Sequence, residues 1–212
     1  MSFILVKGIV FNPLSDEKYE FFPNGYILFN RSKKQIVAYG DFDRDREKNS
    51  LKGIPKVYDF SGHLIIPPFF DMHFHWVQDK VRTKSKSNLL DWLHRHTFPQ
   101  EDKFSCTNYS LKEAERFFKK LSAQGTLGGA IFCSIHEHTL KHALKFAQGN
   151  FIAGNVLMTQ NSPDYLLQDK REAKKLVSKL SNRFKNNYAF TPRFAISCDM
   201  ETMKLGHDLS RA

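Results

Sequence analysis

From residue 64 onward, short apolar runs alternate with longer amphipathic stretches, and no other feature narrows the possible folds as much. Such alternation is the mark of βα units, in which a strand buried on both faces is followed by a helix that crosses back over the sheet. The pattern predicts strands over 64–70, 129–135, 152–158 and 188–196. Between them, Ser110 and Glu113 have the spacing of a capping box that opens a helix running to Ala123, with Gly125 ending it. Over 165–184, Leu166, Ala173, Leu176, Val177, Leu180 and Phe184 recur at helical spacing opposite a Lys- and Arg-rich face, which predicts an outer-layer helix.

The first third has a different rhythm. Strands are expected over 3–10, 26–29 and 35–39, the last two joined by the polar turn 30–34 as a hairpin. Residues 41–53 are charged without apolar period and read as a loop, after which 56–60 resumes an extended pattern. A small β-domain ending near Ile66 is the expected unit.

Composition removes several classes of function. Lys and Arg number 32 against 22 Asp and Glu, a net charge of +10, which on its own suggests an anionic partner. The basic residues are spread along the chain and mixed with carboxylates, without an aromatic stacking repeat, so they form a solvated face and imply no specific nucleic acid. Cys106, Cys133 and Cys198 are too far apart for a metal knuckle and odd in number, so a reducing, cytoplasmic setting is expected. The N-terminal apolar run is too short to span a membrane and lacks the features of a signal peptide, so no membrane partner is expected.

The residues with the most chemical content are His73 and His75, at the end of the apolar stretch 65–75. On a strand, residues two apart point to the same side, so both imidazoles can reach one zinc ion while Phe74 turns into packing. The same spacing recurs at His94/His96 and His136/His138. The former pair lies in a helix-like pattern, where residues two apart diverge. The latter follows a strand and stands as a second candidate, against the plainer alternative of solvent-facing histidines at a helix start.

Four stretches together resemble a known family: PPFFDMHFHWVQ, LLDWLHRHTFPQEDKF, GTLGGAIFCSIH and TPRFAISC. The first is similar to the first barrel strand of the amidohydrolase superfamily, and the other three resemble guanine deaminases in particular, in the same order and spacing along nearly the whole chain. The resemblance implies an α/β fold: a partial β-sandwich from residues 1–66, then the first half of a (β/α)₈ barrel, about four βα units, from 67–212. It implies His73 and His75 as zinc ligands, Gln78 and Arg193 as purine-binding polar groups, and Phe194 as an aromatic contact to the base. Gln offers a donor and an acceptor together, and Arg a charged fork of donors, both suited to the edge of guanine or a related purine. The implied reaction is hydrolytic deamination of guanine to xanthine and ammonia.

Three positions depart from the family pattern: Pro68 in place of Gly, Met72 in place of a small hydroxyl residue, and Leu127-Gly128-Gly129 in place of a Thr-rich stretch. The family's further His, His, Asp and proton-shuttling Glu match no position here, and His207 lies in a helix-like stretch. The expectation is therefore a truncated or split form, inactive alone, with no catalytic residue in this chain and an incomplete zinc shell. Its partners would be a complementary C-terminal half or a second copy of the chain. The competing expectations are another amidohydrolase acting on a related aminated heterocycle, and a non-catalytic half-barrel interaction protein.

Overall fold

A computed structural model of the chain describes residues 3–47, 56–84 and 88–209. Two compact units divide at Pro67/Pro68.

In the first unit, β1 (Phe3–Pro13), β2 (Tyr19–Asn30) and β3 (Gln35–Asp41) form an antiparallel meander, helix α1 (Phe42–Glu47) follows, and β4 (Val57–Ile65) pairs parallel to β1, giving the order β3-β2-β1-β4. The strands are longer than hydrophobic alternation alone predicts because ladder pairing continues through polar residues such as Asn12 opposite Glu20. Asn30 closes the β2–β3 turn, its Oδ1 accepting the Lys33 amide at 3.0 Å. Leu5 and Tyr26 form the small core with Leu28, Ala38 and Phe42 around them. The expected loop over 41–53 is α1 in its first part, and its remainder lies outside the described residues.

The second unit begins with β5 (Phe69–His75) and a 3₁₀ turn, Trp76–Gln78; beyond residues 85–87, which lie outside the described residues, come α2 (Leu89–Trp92), a π-helical turn over Leu93–Thr97 and α3 (Phe98–Asp102). Asn88 caps this helical stretch, its side chain accepting the Asp91 amide at 2.8 Å. Pro99 explains the wide turn: it has no N–H to give and would crowd the carbonyl four residues earlier, and a π turn relieves both problems. Helix α4 (Thr107–Ala123) then returns the chain to β6 (Thr126–Phe132), α5 (Glu137–Phe146) to β7 (Asn150–Gly154) and its continuation β8 (Val156–Leu157), and α6 (Lys170–Phe184) to β9 (Thr191–Pro192), before α7 (Met200–Leu209). β5, β6 and β7 lie side by side and parallel, and β8 pairs parallel to β9. Successive strands are thus neighbours with helical crossovers, as the alternation requires.

Two details of the expected helices change. α4 starts at Thr107, so Ser110 sits inside it, fully buried and paired with His142 Nδ1 at 2.9 Å, and the expected capping box does not form. Glu113, its expected partner, instead bonds Lys80 and Arg116. The helix expected over 165–184 begins at Lys170, where Asp169 caps it by accepting the Arg171 and Glu172 amides.

The core lies between the parallel sheet and its helices, with Trp76, Phe104, Phe118, Ile131, Leu140 and Leu180 all buried. Phe74 packs into it, its ring stacked on Phe117 at 5.9 Å and edge-on to Phe151. Close approach of β5 and β6 depends on Gly129, whose φ of +139° lies in the region that favours glycine and whose Cβ position would fall 1.8 Å from the Asp71 carbonyl oxygen. Gly129→Ala is therefore expected to lower stability by about 3 kcal/mol, read from urea unfolding. A change below about 1 kcal/mol would mean that the strands are not held this close. Among the described residues, no helix is long and apolar enough to cross a membrane.

Candidate active site

Strand β5 delivers His73 and His75 on one side by its two-residue repeat, and their Nε2 atoms stand 3.4 Å apart. Two nitrogens bound at about 2.05 Å to a tetrahedral zinc ion would be separated by about 3.3 Å, so the spacing suits shared ligation. Phe132, at the end of β6, is the platform for both rings, stacked on His73 at 4.1 Å and tilted against His75 at 4.9 Å. Burial, then the Arg193 charge and His73, depress the His75 pKa to about 3, so this imidazole is neutral with a lone pair to offer. Its Nδ1 is buried and unpartnered. The pair therefore fits a metal as two of four ligands. Among the described residues, no group of three His, Cys, Asp or Glu side chains is gathered to hold an ion.

The other two His-x-His pairs are differently placed. His94 and His96 lie in the π-helical turn, where winding sends them apart. His138 gives its Nε2 proton to the Phe104 carbonyl at 2.7 Å, and its ring lies parallel to that of His136 with centroids 5.8 Å apart. His136 precedes α5, its Nε2 buried and unpartnered, and burial followed by the His138 charge lowers its pKa.

Gln78, on the 3₁₀ turn after β5, and Arg193, just beyond β9, meet at a residue that sequence reasoning passed over. Glu101 of α3 is completely buried, and its Oε1 accepts from Gln78 Nε2 at 2.8 Å while its Oε2 accepts from Arg193 at 2.5 Å. The Arg193 side chain is only 2% exposed. Its guanidinium lies 5.0 Å from the Phe98 ring centre and 5.6 Å from that of Phe194, within cation–π range of both. Phe194 itself is 38% exposed, and its backbone is fixed by Ser197, whose Oγ accepts its N–H and donates to its carbonyl. The segment is held further by the Ser197 carbonyl accepting the Thr159 amide, and by buried Asp199, which accepts from Thr159 and Thr202.

His75, Gln78, Arg193 and Phe194 are thus linked through contacts or electrostatic reach, with Glu101 and Phe132 as supports. Glu101 lies within TFPQEDKF, part of one of the stretches that carry the family resemblance. No periodicity marks it as buried. A separate cavity of about 310 Å³ opens beside His75 and Gln78 toward Phe117 and Leu121 of α4. His73, Arg193 and Phe194 do not line it.

No protein-family model matches the chain. The chain is 31% identical to the guanine deaminase of Escherichia coli strain K12 over 216 aligned residues, covering 98% of this chain and 48% of that protein. It superposes on the crystal structure of a guanine deaminase from C. acetobutylicum with guanine bound in its active site, with a TM-score of 0.86 and 27% identity, over 99% of this chain and 51% of the other. A mutant atrazine chlorohydrolase from Arthrobacter aurescens TC1, complexed with zinc and atraton, shares the fold with a TM-score of 0.74 at 13% identity, over 98% and 50% of the two chains. The chain spans about half the length of the curated relatives it matches. By sequence along nearly its whole length and by fold, the chain is a relative of the guanine deaminases that spans about half their length.

Proposed function

We propose that this chain carries the purine-binding wall and two zinc ligands of a site for hydrolytic deamination of guanine to xanthine and ammonia. The observation that carries the reading is the convergence of Gln78 and Arg193 on one buried carboxylate, with Gln78 on the turn that directly follows the His73–His75 pair, whose Nε2 atoms stand 3.4 Å apart. The relative with bound guanine supports guanine as the substrate. His73 and His75 would hold zinc through their Nε2 atoms. Zinc in such a site supplies a water acidified toward neutral pH. The chain's own residues bind and orient: Arg193 donates to a carbonyl edge, the Gln78 amide oxygen accepts a ring N–H, and the Phe194 ring lies along the base. Glu101 is committed to Arg193 and Gln78, so it is not free to relay protons. On this reading the 212 residues bind guanine without converting it, and turnover needs further ligands and a proton shuttle from a complementary segment.

The same reading assigns residues 67–212 to about four βα units of an amidohydrolase barrel and residues 1–66 to a partial β-sandwich. Support comes from the sequential parallel order of the strands. Large apolar side chains also lie exposed on β5, at Phe69, Phe70 and Met72, and on the first sheet, at Phe21, Val57 and Phe60.

Calorimetry with the zinc-supplemented protein tests the proposal against guanine, adenine and an aminotriazine. Guanine is expected to bind tightest, Arg193→Ala to weaken it at least tenfold, and no xanthine to form above a metal-free control. Preference for adenine or the triazine would overturn the substrate, and xanthine formation by this chain would overturn the inactivity.

A further inference from the structure

We infer that Glu101 is a positioning residue for ligand recognition: its buried carboxylate sets the Gln78 amide and the Arg193 guanidinium so that together they read an –NH–C(=O)– edge of a planar ligand. The inference rests on the ligand-binding roles proposed above for Gln78 and Arg193.

A carboxylate has only acceptors to offer, so the Gln78 amide must turn its NH₂ toward Glu101, at 2.8 Å, and its oxygen away from it. Without that contact the two amide orientations would differ little in energy, and the side chain could present either a donor or an acceptor. Arg193 spends an NH1 proton on the other carboxylate oxygen, at 2.5 Å, which fixes the plane of the fork near Phe98 and Phe194. Its Nε is left buried with no partner. A buried donor without an acceptor is a standing penalty that a ligand carbonyl oxygen would remove. The three groups come from the turn after β5, from α3 and from the end of β9, separated by 23 and 92 residues, so one carboxylate fixes the relative placement of three segments. An ion pair serving stability alone would need neither the Gln78 amide nor an unpaired Nε.

The test uses the 212-residue protein with guanine and with 2-aminopurine, which lacks both the carbonyl and the adjacent N–H. Side-chain resonances of Gln78 and Arg193 Nε in ¹⁵N-labelled protein provide a readout without ligand. Glu101→Gln keeps the shape but offers one acceptor to two donors, and should reduce the preference for guanine over 2-aminopurine by about tenfold. It should also shift or broaden both sets of resonances. Glu101→Asp, charged but shorter, should reduce the preference by a smaller factor, and it carries the test if Glu101→Gln fails to fold. Wild-type preference in whichever variant folds overturns the inference. If the wild type binds neither purine, the function proposed above fails, and the resonances alone decide: displaced signals in the variants support the positioning role, and unchanged signals overturn it.

Discussion

Replacing Glu101 by alanine is expected to destabilise the fold by about 3–5 kcal/mol, the range for removing one partner of a buried ion pair. The side chains of Arg193 and Glu101 are 2% and 0% exposed, so a guanidinium deprived of its carboxylate cannot recover its hydration without local unfolding. The packing of Phe98 and Phe194 around it adds to the effect, because a guanidinium that swings out to water abandons both rings. The double variant Glu101→Ala/Arg193→Leu should recover much of the loss, since it removes both charges together. Urea unfolding of the four proteins gives the coupling directly. A Glu101→Ala penalty below about 1 kcal/mol would show that water reaches the pair and that the ion pair is not desolvated.

The second large effect concerns the metal. Complete structural zinc sites are worth roughly 10–16 kcal/mol, and two imidazoles supply about half of that shell, so binding to this chain should fall between about 1 and 200 µM. His73→Ala or His75→Ala should each weaken it by at least about 100-fold, to below detection in a competition assay with a chromophoric chelator. His136→Ala should leave it unchanged, because His138 Nε2 is occupied by the Phe104 carbonyl. Loss of zinc on His136→Ala, with retention on His73→Ala, would move the metal site to the start of α5.

Legibility of the site followed the range of the interactions that build it. His73 and His75 could be placed because a strand's two-residue repeat is local, and β5 does put both on one side, with Phe74 in the core. Alternation marked parallel strands joined by helices but not their bounds: the expected strand over 64–70 divides between β4, which ends at Ile65, and β5, which begins at Phe69, and that over 188–196 is strand only at Thr191–Pro192. Gln78, Arg193 and Phe194 were reached only through resemblance, since a lone Arg after Thr-Pro carries no periodic signal. Glu101 escaped both routes: its partners lie 23 and 92 residues away, and a Gln-Glu-Asp sequence ordinarily reads as a solvated surface. Phe132 carries no signal of its own within the expected strand, because its role as a platform depends on register with β5, where it pairs with His75. At Ser110 the local signal misled, because a capping motif competes with burial, and the His142 contact favours a helix begun three residues earlier.

The most direct test of the account is anomalous diffraction at the zinc edge from crystals of this protein grown with zinc and guanine. The account predicts one strong peak about 2.1 Å from both His73 Nε2 and His75 Nε2, with guanine density between Phe194 and the Gln78–Arg193 pair and its carbonyl toward Arg193 Nε. A zinc peak at His136 and His138, or guanine seated away from Arg193, would contradict it.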